Sequence, residues 1–224
     1  MKKKEEKQNK RVEIIVVLDR SGSMNSIKKQ TIDGFNEFID GQRDNGAKTR
    51  ITLVQFDHEY QMVYEAKKIG KVEPLNDHLY VPRGMTALLD AIGHTIKLTK
   101  KRFSHLKKGA PDKTIFVIIT DGYENSSVKY TMEKVIKKIR KMEKDNGWEF
   151  VYLGANQDAI AEAGRYGISG KKAMTFAMNE KGVKKMFNSL SYGIHHSLKN
   201  DSEFLFTDDQ RKEQEQEQEE GNEQ

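Results

Sequence analysis

"VVLDRSGSMNS", residues 16–26, decides the fold and most of the function. An apolar run stops on an aspartate, and two serines flanking a glycine follow. Apolar runs commonly end in turn residues. Asp19, Ser21 and Ser23 therefore either close a strand or offer oxygens to a cation. The run itself, "VEIIVVL" at 12–18, has a counterpart in "TIFVIIT" at 114–120, which also ends on an aspartate, Asp121. Near-continuous branched apolar runs suit central parallel strands covered on both faces.

Working outward, "ITLVQF" (51–56), "WEFVYLG" (148–154) and the short "AMTFA" (173–177) read as further strands. "YQMVYEA" (60–66) follows "ITLVQF" too closely for a parallel crossover, which predicts an antiparallel edge strand. Apolar stripes at helical spacing fill the gaps: Ile32, Phe35 and Ile39; Leu88, Leu89, Ile92 and Ile96; Met132, Val135, Ile136 and Ile139; Ile160 and Ala163; and Val183, Met186, Phe187, Leu190 and Ile194. The alternation predicts an α/β fold. It is a doubly wound, three-layer α/β/α mostly parallel sheet with one antiparallel edge strand.

Composition bounds the function. The 224 residues suit one domain with tails: a charged flexible N-terminus at 1–10, a domain at 11–200, and an acidic Gln/Glu-rich disordered tail at 201–224. The tail carries ten acidic and two basic residues, so the remainder is strongly basic although the whole chain is only +5. A basic body could meet nucleic acid, or the tail could screen it. With no cysteine there is no disulfide, thiolate nucleophile or thiolate zinc site. "MKKKEEKQNK" lacks the apolar segment of a secretory signal, and no run reaches the ~20 apolar residues of a membrane span. The expectation is a cytoplasmic protein.

In open parallel sheets, ligands gather where the carboxyl ends of central strands meet. If the two aspartate-ended strands are neighbours, Asp19 and Asp121 meet at one crevice, where two carboxylates repel unless a positive charge lies between them. Ser21, Ser23 and Thr86 of "RGMTALLDA" add hydroxyls. An all-oxygen set suits a hard cation such as Mg²⁺. Gly22, Gly84 and Gly122 are placed to let the backbone bend or to relieve crowding.

"DRSGSM", "GMTALLDA" and "ITDG" together resemble the three segments of the metal-ion-dependent adhesion site (MIDAS) of von Willebrand factor A (vWA) domains. The resemblance covers roughly 11–198. It implies a vWA, Rossmann-like sheet and a site formed by Asp19, Ser21, Ser23, Thr86 and Asp121. The three hydroxyls would bind Mg²⁺ directly, with Mn²⁺ and Ca²⁺ as alternatives, and the aspartates would act directly or through water. An Asp or Glu carboxylate of a partner protein would complete the shell. Without a signal or cysteines, the chain resembles the intracellular, bacterial or phage-type branch. Members of that branch serve as adaptors, some beside an AAA+ ATPase.

Other residues carry weaker signals. Asp90 is expected to bond backbone or loop groups. Glu124 is either near the metal or an exposed loop acid. Asn156 and Asp158 either shape a partner surface or cap a helix. His195 and His196 point to different faces and read as surface residues. The basic stretch at 97–113 is either a nucleic-acid contact or a solvated face. No nucleophile elbow or P-loop appears, and an aspartate-nucleophile phosphatase would want an acid where Ser21 stands. The expectation is thus a non-enzymatic, metal-dependent protein-binding adaptor. A nucleic-acid-associated component and an Mg-dependent hydrolase stand as alternatives.

Overall fold

A computed structural model describes residues 10–43, 47–155 and 158–222. Six strands form one sheet: β1 (Arg11–Asp19), β2 (Lys48–Phe56), β3 (Tyr60–Lys68), β4 (Lys113–Thr120), β5 (Trp148–Ala155) and β6 (Ala173–Phe176). Their order is β3-β2-β1-β4-β5-β6, and β3 alone runs antiparallel. The order reverses at β1, whose neighbours are β2 and β4. The two aspartate-ended runs are therefore central and adjacent, with Leu18 opposite Ile119.

Side chains alternate across β1 and set the two cores. Ile14, Val16 and Leu18 face α1 (Lys28–Arg43) and α5 (Glu180–Asn200), where Phe35, Phe38 and Phe187 meet. Ile15 and Val17 face α2 (Leu88–Ser104), α3 (Met132–Asn146) and α4 (Ala159–Arg165). Helices α1, α2 and α5 bury the stripes their sequences predict; α3 buries Val135 and Ile139 with Met132 and Ile136 half-buried, and α4 buries Ala163 but leaves Ile160 exposed. Truncating a buried phenylalanine such as Phe35 to Ala would cost about 3–5 kcal/mol. No helix among the described residues is long and apolar enough to cross a membrane.

Composition predicts disorder from Asp201, although Glu and Gln tolerate helix; over its described length the segment ends in a helix, α6 (Asp208–Asn222). Phe204 and Phe206 join the core before it. The helix then docks by a polar stripe. Gln214, 1 % exposed, accepts from Ala177 N at 3.0 Å and donates to Gly182 O at 2.9 Å. Arg211 donates to the carbonyls of Gly170, Lys171 and Ala173 at 3.1, 3.0 and 3.3 Å. Side chains thus satisfy backbone groups at the β6 edge of the sheet, the usual weak point of an open sheet. Low apolar content hid this docking, because hydrogen bonds rather than hydrophobic burial hold the helix. The expected N-terminal segment lies outside the described residues except for Lys10.

Candidate metal centre

Asp19 ends β1 and is fully buried. Its Oδ1 accepts the Ser21 N–H at 2.6 Å, and its Oδ2 accepts the Thr120 hydroxyl at 2.6 Å. The Tyr80 hydroxyl donates to its carbonyl at 2.7 Å. Asp121 follows β4; its Oδ1 accepts the Ser23 hydroxyl at 2.7 Å. The Ser21 and Ser23 oxygens lie 3.2 Å apart. Thr86 is buried, and a Cβ on Gly122 would sit 3.4 Å from its hydroxyl. The hydroxyl therefore lies beside the residue that follows Asp121. All five residues converge at the carboxyl ends of β1 and β4.

The electrostatics leave this cluster short of positive charge. No lysine or arginine pairs with Asp19 or Asp121 among the described residues. Burial pushes the Asp19 carboxyl up to about 7, against the hydrogen bonds from Thr120 and Ser21, and the Asp121 charge adds to the rise. Burial likewise raises Asp121, opposed by the Ser23 hydroxyl. Asp121 Oδ2 is buried without a hydrogen-bond partner. Two buried carboxylates, an orphaned oxygen and adjacent hydroxyls fit a hard divalent cation.

Backbone geometry brings the threonine segment in. Gly84 has φ +67, a conformation that favours glycine, and its carbonyl accepts Gly22 N–H at 3.1 Å. Gly22 itself does not take a left-handed φ. A Cβ there would make ordinary contact at 3.5 Å, so the sharp bend expected at Gly22 belongs to Gly84 instead. Thr86 N–H donates to Asn125 Oδ1 at 2.8 Å, and Thr86 O accepts Asn125 N–H at 3.0 Å.

An ion-pair knot around the buried Asp57 ties the first two segments together. Asp57, fully buried after β2, pairs with Arg20 at 3.1 Å and with Arg83 at 2.9 Å. Arg20 lies between Asp19 and Ser21, and its carbonyl accepts Arg83 N–H at 2.8 Å. Asp57 O accepts Ala87 N–H at 2.8 Å, one residue past Thr86. Asp57, His58 and Glu59 are close enough together to hold a metal ion. The charge of Asp57 is already met by two guanidinium groups, and Glu59 pairs with Arg83. This cluster acts as scaffold. Neither Asp57 nor Tyr80 has a sequence signal, since both act through long-range contacts.

The weaker candidates resolve into supports. Asp90 accepts the backbone N–H groups of Val128, Lys129 and Tyr130 at 3.0, 2.9 and 2.7 Å, as expected of a loop-bonding acid. Glu124 is not a free loop acid: it is half-buried and hydrogen-bonded. It accepts from Leu89 N, Ser126 N and Ser127 N at 2.7, 2.9 and 2.7 Å, and so caps the start of α2 across space. Asp158 caps α4, accepting from Ile160 N and Ala161 N at 3.1 and 2.9 Å. Asn156 lies outside the described residues. His195 is half-buried, and His196 is exposed and stacks on Tyr192.

Around the cluster, the loops carry apolar side chains into solvent. Leu79, Val81 and Met85 lie on the segment bearing Tyr80 and Thr86. Tyr123 and Val128 follow Asp121, and Ile160 opens α4. These are six of the nine exposed large apolar residues among those described.

The family model of the von Willebrand factor type A domain matches residues 13–191. No curated protein sequence matches the chain. Among solved structures, it is similar to proximal thread matrix protein 1 from the mussel byssus at 17 % identity and TM-score 0.55, covering 83 % of this chain and 46 % of that one. It is similar to a von Willebrand factor type A protein from Catenulispora acidiphila at 14 % and 0.55, covering 83 % and 42 %. It is also similar to the vWF domain of the type V pili tip protein Mfa5 from Porphyromonas gingivalis at 11 % and 0.57, covering 84 % and 96 %. The chain thus spans less than half of the first two proteins, and at these identities the likeness shows the fold.

Proposed function

The chain belongs to the von Willebrand factor type A family, and from that premise we propose that it is a protein-interaction module whose docking point is a divalent cation. Asp19, Ser21, Ser23, Thr86 and Asp121 would hold the ion. The observation that carries this is the pair of buried, unneutralised carboxylates joined by serine hydroxyls, with Asp121 Oδ2 left unpartnered. A bound Mg²⁺ would supply the missing charge and a Lewis-acid position for an incoming oxygen.

The partner's contribution follows from that chemistry. Where the hydroxyls touch the ion directly and the aspartates act through water, few anionic ligands reach it, and it attracts an Asp or Glu of the partner. The apolar loop residues around the cluster supply contact area for whatever flanks that carboxylate. Structural neighbours include the pilus adhesin SpaC, in keeping with a binding role. The family precedent extends the proposal to a cytoplasmic adaptor beside an AAA+ ATPase. Catalysis has little support: both oxygens of Asp19 already accept hydrogen bonds, which disfavours it as a nucleophile.

Thermal unfolding across an Mg²⁺ titration tests the site. A cation present at 100 times its Kd adds about 2.7 kcal/mol of stability. Thr86→Ala and Asp121→Ala are each expected to lose that gain while keeping the far-UV spectrum of the parent. Affinity capture with and without EDTA should lose the same partner in both variants. An Mg²⁺ titration unchanged in both would overturn the assignment.

A further inference from the structure

At the end of the sheet remote from the metal centre lies a cavity of ≈ 790 Å³. Its volume falls within the roughly 300–1,000 Å³ of small-molecule sites. Its walls are the amino ends of β1 and β2, the carboxyl end of β3, Arg102 of α2 and residues 106–111. The length of β1 from Arg11 to Asp19 puts about 26 Å between the two ends.

Seven lysines and arginines line this cavity, against one carboxylate, Glu13. Glu13 is buried, and its charge is met by Arg102 and by the Thr52 hydroxyl at 2.8 Å. Arg11 builds the wall. Its guanidinium donates to the carbonyls of Lys108, Gly109 and Ala110 at 2.9, 3.1 and 2.7 Å and pairs with Asp112 at 3.2 Å. These bonds fasten the 106–111 segment to β1, so the cavity is preformed. Lys48, Arg50, Lys68, Lys107 and Lys108 remain, and among the described residues Arg50, Lys68, Lys107 and Lys108 have no carboxylate partner.

Arg50 is aimed by a local distortion. Ala66 takes φ 45, rare for a residue with a Cβ. Its carbonyl accepts Arg50 Nη1 at 2.6 Å, and its N–H donates to Thr52 Oγ1 at 3.0 Å. Backbone strain of this kind persists where surrounding contacts over-determine it, and it gathers at ligand sites. The cavity also has aliphatic surface, from Val12, Ile69, Leu106 and Pro111. No aromatic side chain among the described residues lines it, which gives single-stranded nucleic acid no stacking platform there.

We propose that this cavity binds a small organic phosphate of nucleotide size. Its phosphate oxygens would lie among Arg50, Lys68, Lys107 and Lys108, and its less polar body against Val12, Ile69 and Leu106. Lysine supplies point charges and arginine a planar fork, both suited to phosphate.

Calorimetry on the full chain in EDTA, with ADP as the probe, tests this site apart from the metal centre. Saturable one-to-one binding is expected, with adenosine at least tenfold weaker. Lys68 and Lys107 are exposed, so the double variant Lys68→Glu with Lys107→Glu should keep its fold by circular dichroism and bind ADP at least tenfold more weakly. Thr86→Ala should bind ADP as the parent does. Absence of saturable ADP binding overturns the proposal, as does adenosine matching ADP or a folded charge-reversal variant with parental affinity. A duplex oligonucleotide that binds with steep salt dependence where ADP does not would also overturn it, in favour of a nucleic-acid surface.

Discussion

Asp19 shows how a single residue couples fold to ligand. Its carboxyl ordinarily titrates near 3.8, and burial moves it to about 7 in the folded chain. The folded state therefore holds the proton more tightly than the unfolded state. This contribution to stability is present in full below the unfolded value and is lost as pH rises through the folded one. The loss amounts to roughly 4 kcal/mol, at about 1.36 kcal/mol per unit. In EDTA, the melting temperature is expected to fall between pH 5 and pH 8, and Asp19→Asn should flatten that slope. Added Mg²⁺ should restore more stability at pH 8 than at pH 5, because the ion needs the ionised carboxylate. Identical slopes in parent and Asp19→Asn would show that Asp19 does not control them. Asp57 makes a second residue-scale case. Asp57→Asn removes the charge between Arg20 and Arg83, and breaking a buried pair in this way costs about 3–5 kcal/mol. Urea unfolding should show that loss. Mg²⁺ affinity should drop with it, since the two segments lose their tie. Unchanged affinity in a destabilised variant would confine Asp57 to stability. Asp19, Ser21, Ser23, Thr86 and Asp121 were legible because each follows a strand or turn with its own signature. Asp57, Thr120 and Tyr80 were not, because their roles depend on strand register and loop paths that leave no local pattern.

At the scale of elements, legibility tracked the mechanism of stabilisation. Branched apolar runs named β1 and β4, and 3.6-residue stripes named α1, α2, α3 and α5, because hydrophobic burial writes its period into sequence. Two elements depart from that rule. The first turn of α2 has no capping side chain at Ala87; Glu124 and Ser127 reach its N–H groups from 35 and 37 residues away. Helix α6 docks with Arg211, Gln214 and Glu217, spaced three apart within a run of Glu and Gln whose composition predicts disorder. Gln214→Ala would leave the Ala177 N–H and the Gly182 carbonyl without that partner inside the protein, a cost of about 1–3 kcal/mol. Denaturant unfolding should report the loss, and hydrogen exchange at Ala177 should accelerate. Stability and exchange matching the parent would mean that α6 does not protect this edge.

At the scale of the molecule, charge is separated across the sheet. The basic cavity reaches from β1 to β3, one sheet edge, while the acidic helix α6 lies against β6, the other. Six strands at about 4.8 Å set these edges roughly 24 Å apart. That exceeds the ~8 Å Debye length at physiological salt, so α6 screens its own neighbourhood and leaves the β3 end basic. Locally it pairs Glu217 with Lys185 at 2.6 Å and Glu220 with Lys181 at 3.6 Å. Replacing Glu213, Glu215 and Glu219 by Gln isolates the effect, because these side chains are exposed and the docking stripe stays intact. The net charge then rises from +5 to +8. If the helix screens the body, the variant should keep the parental melting temperature, elute later from a cation exchanger, and retain duplex DNA to higher salt. Near-neutral salt dependence in both proteins would show that the basic body makes no general polyanion contact. The cavity beside β3 would then be left as a local site whose selectivity comes from its walls, and the acidic helix as a cover for the sheet edge.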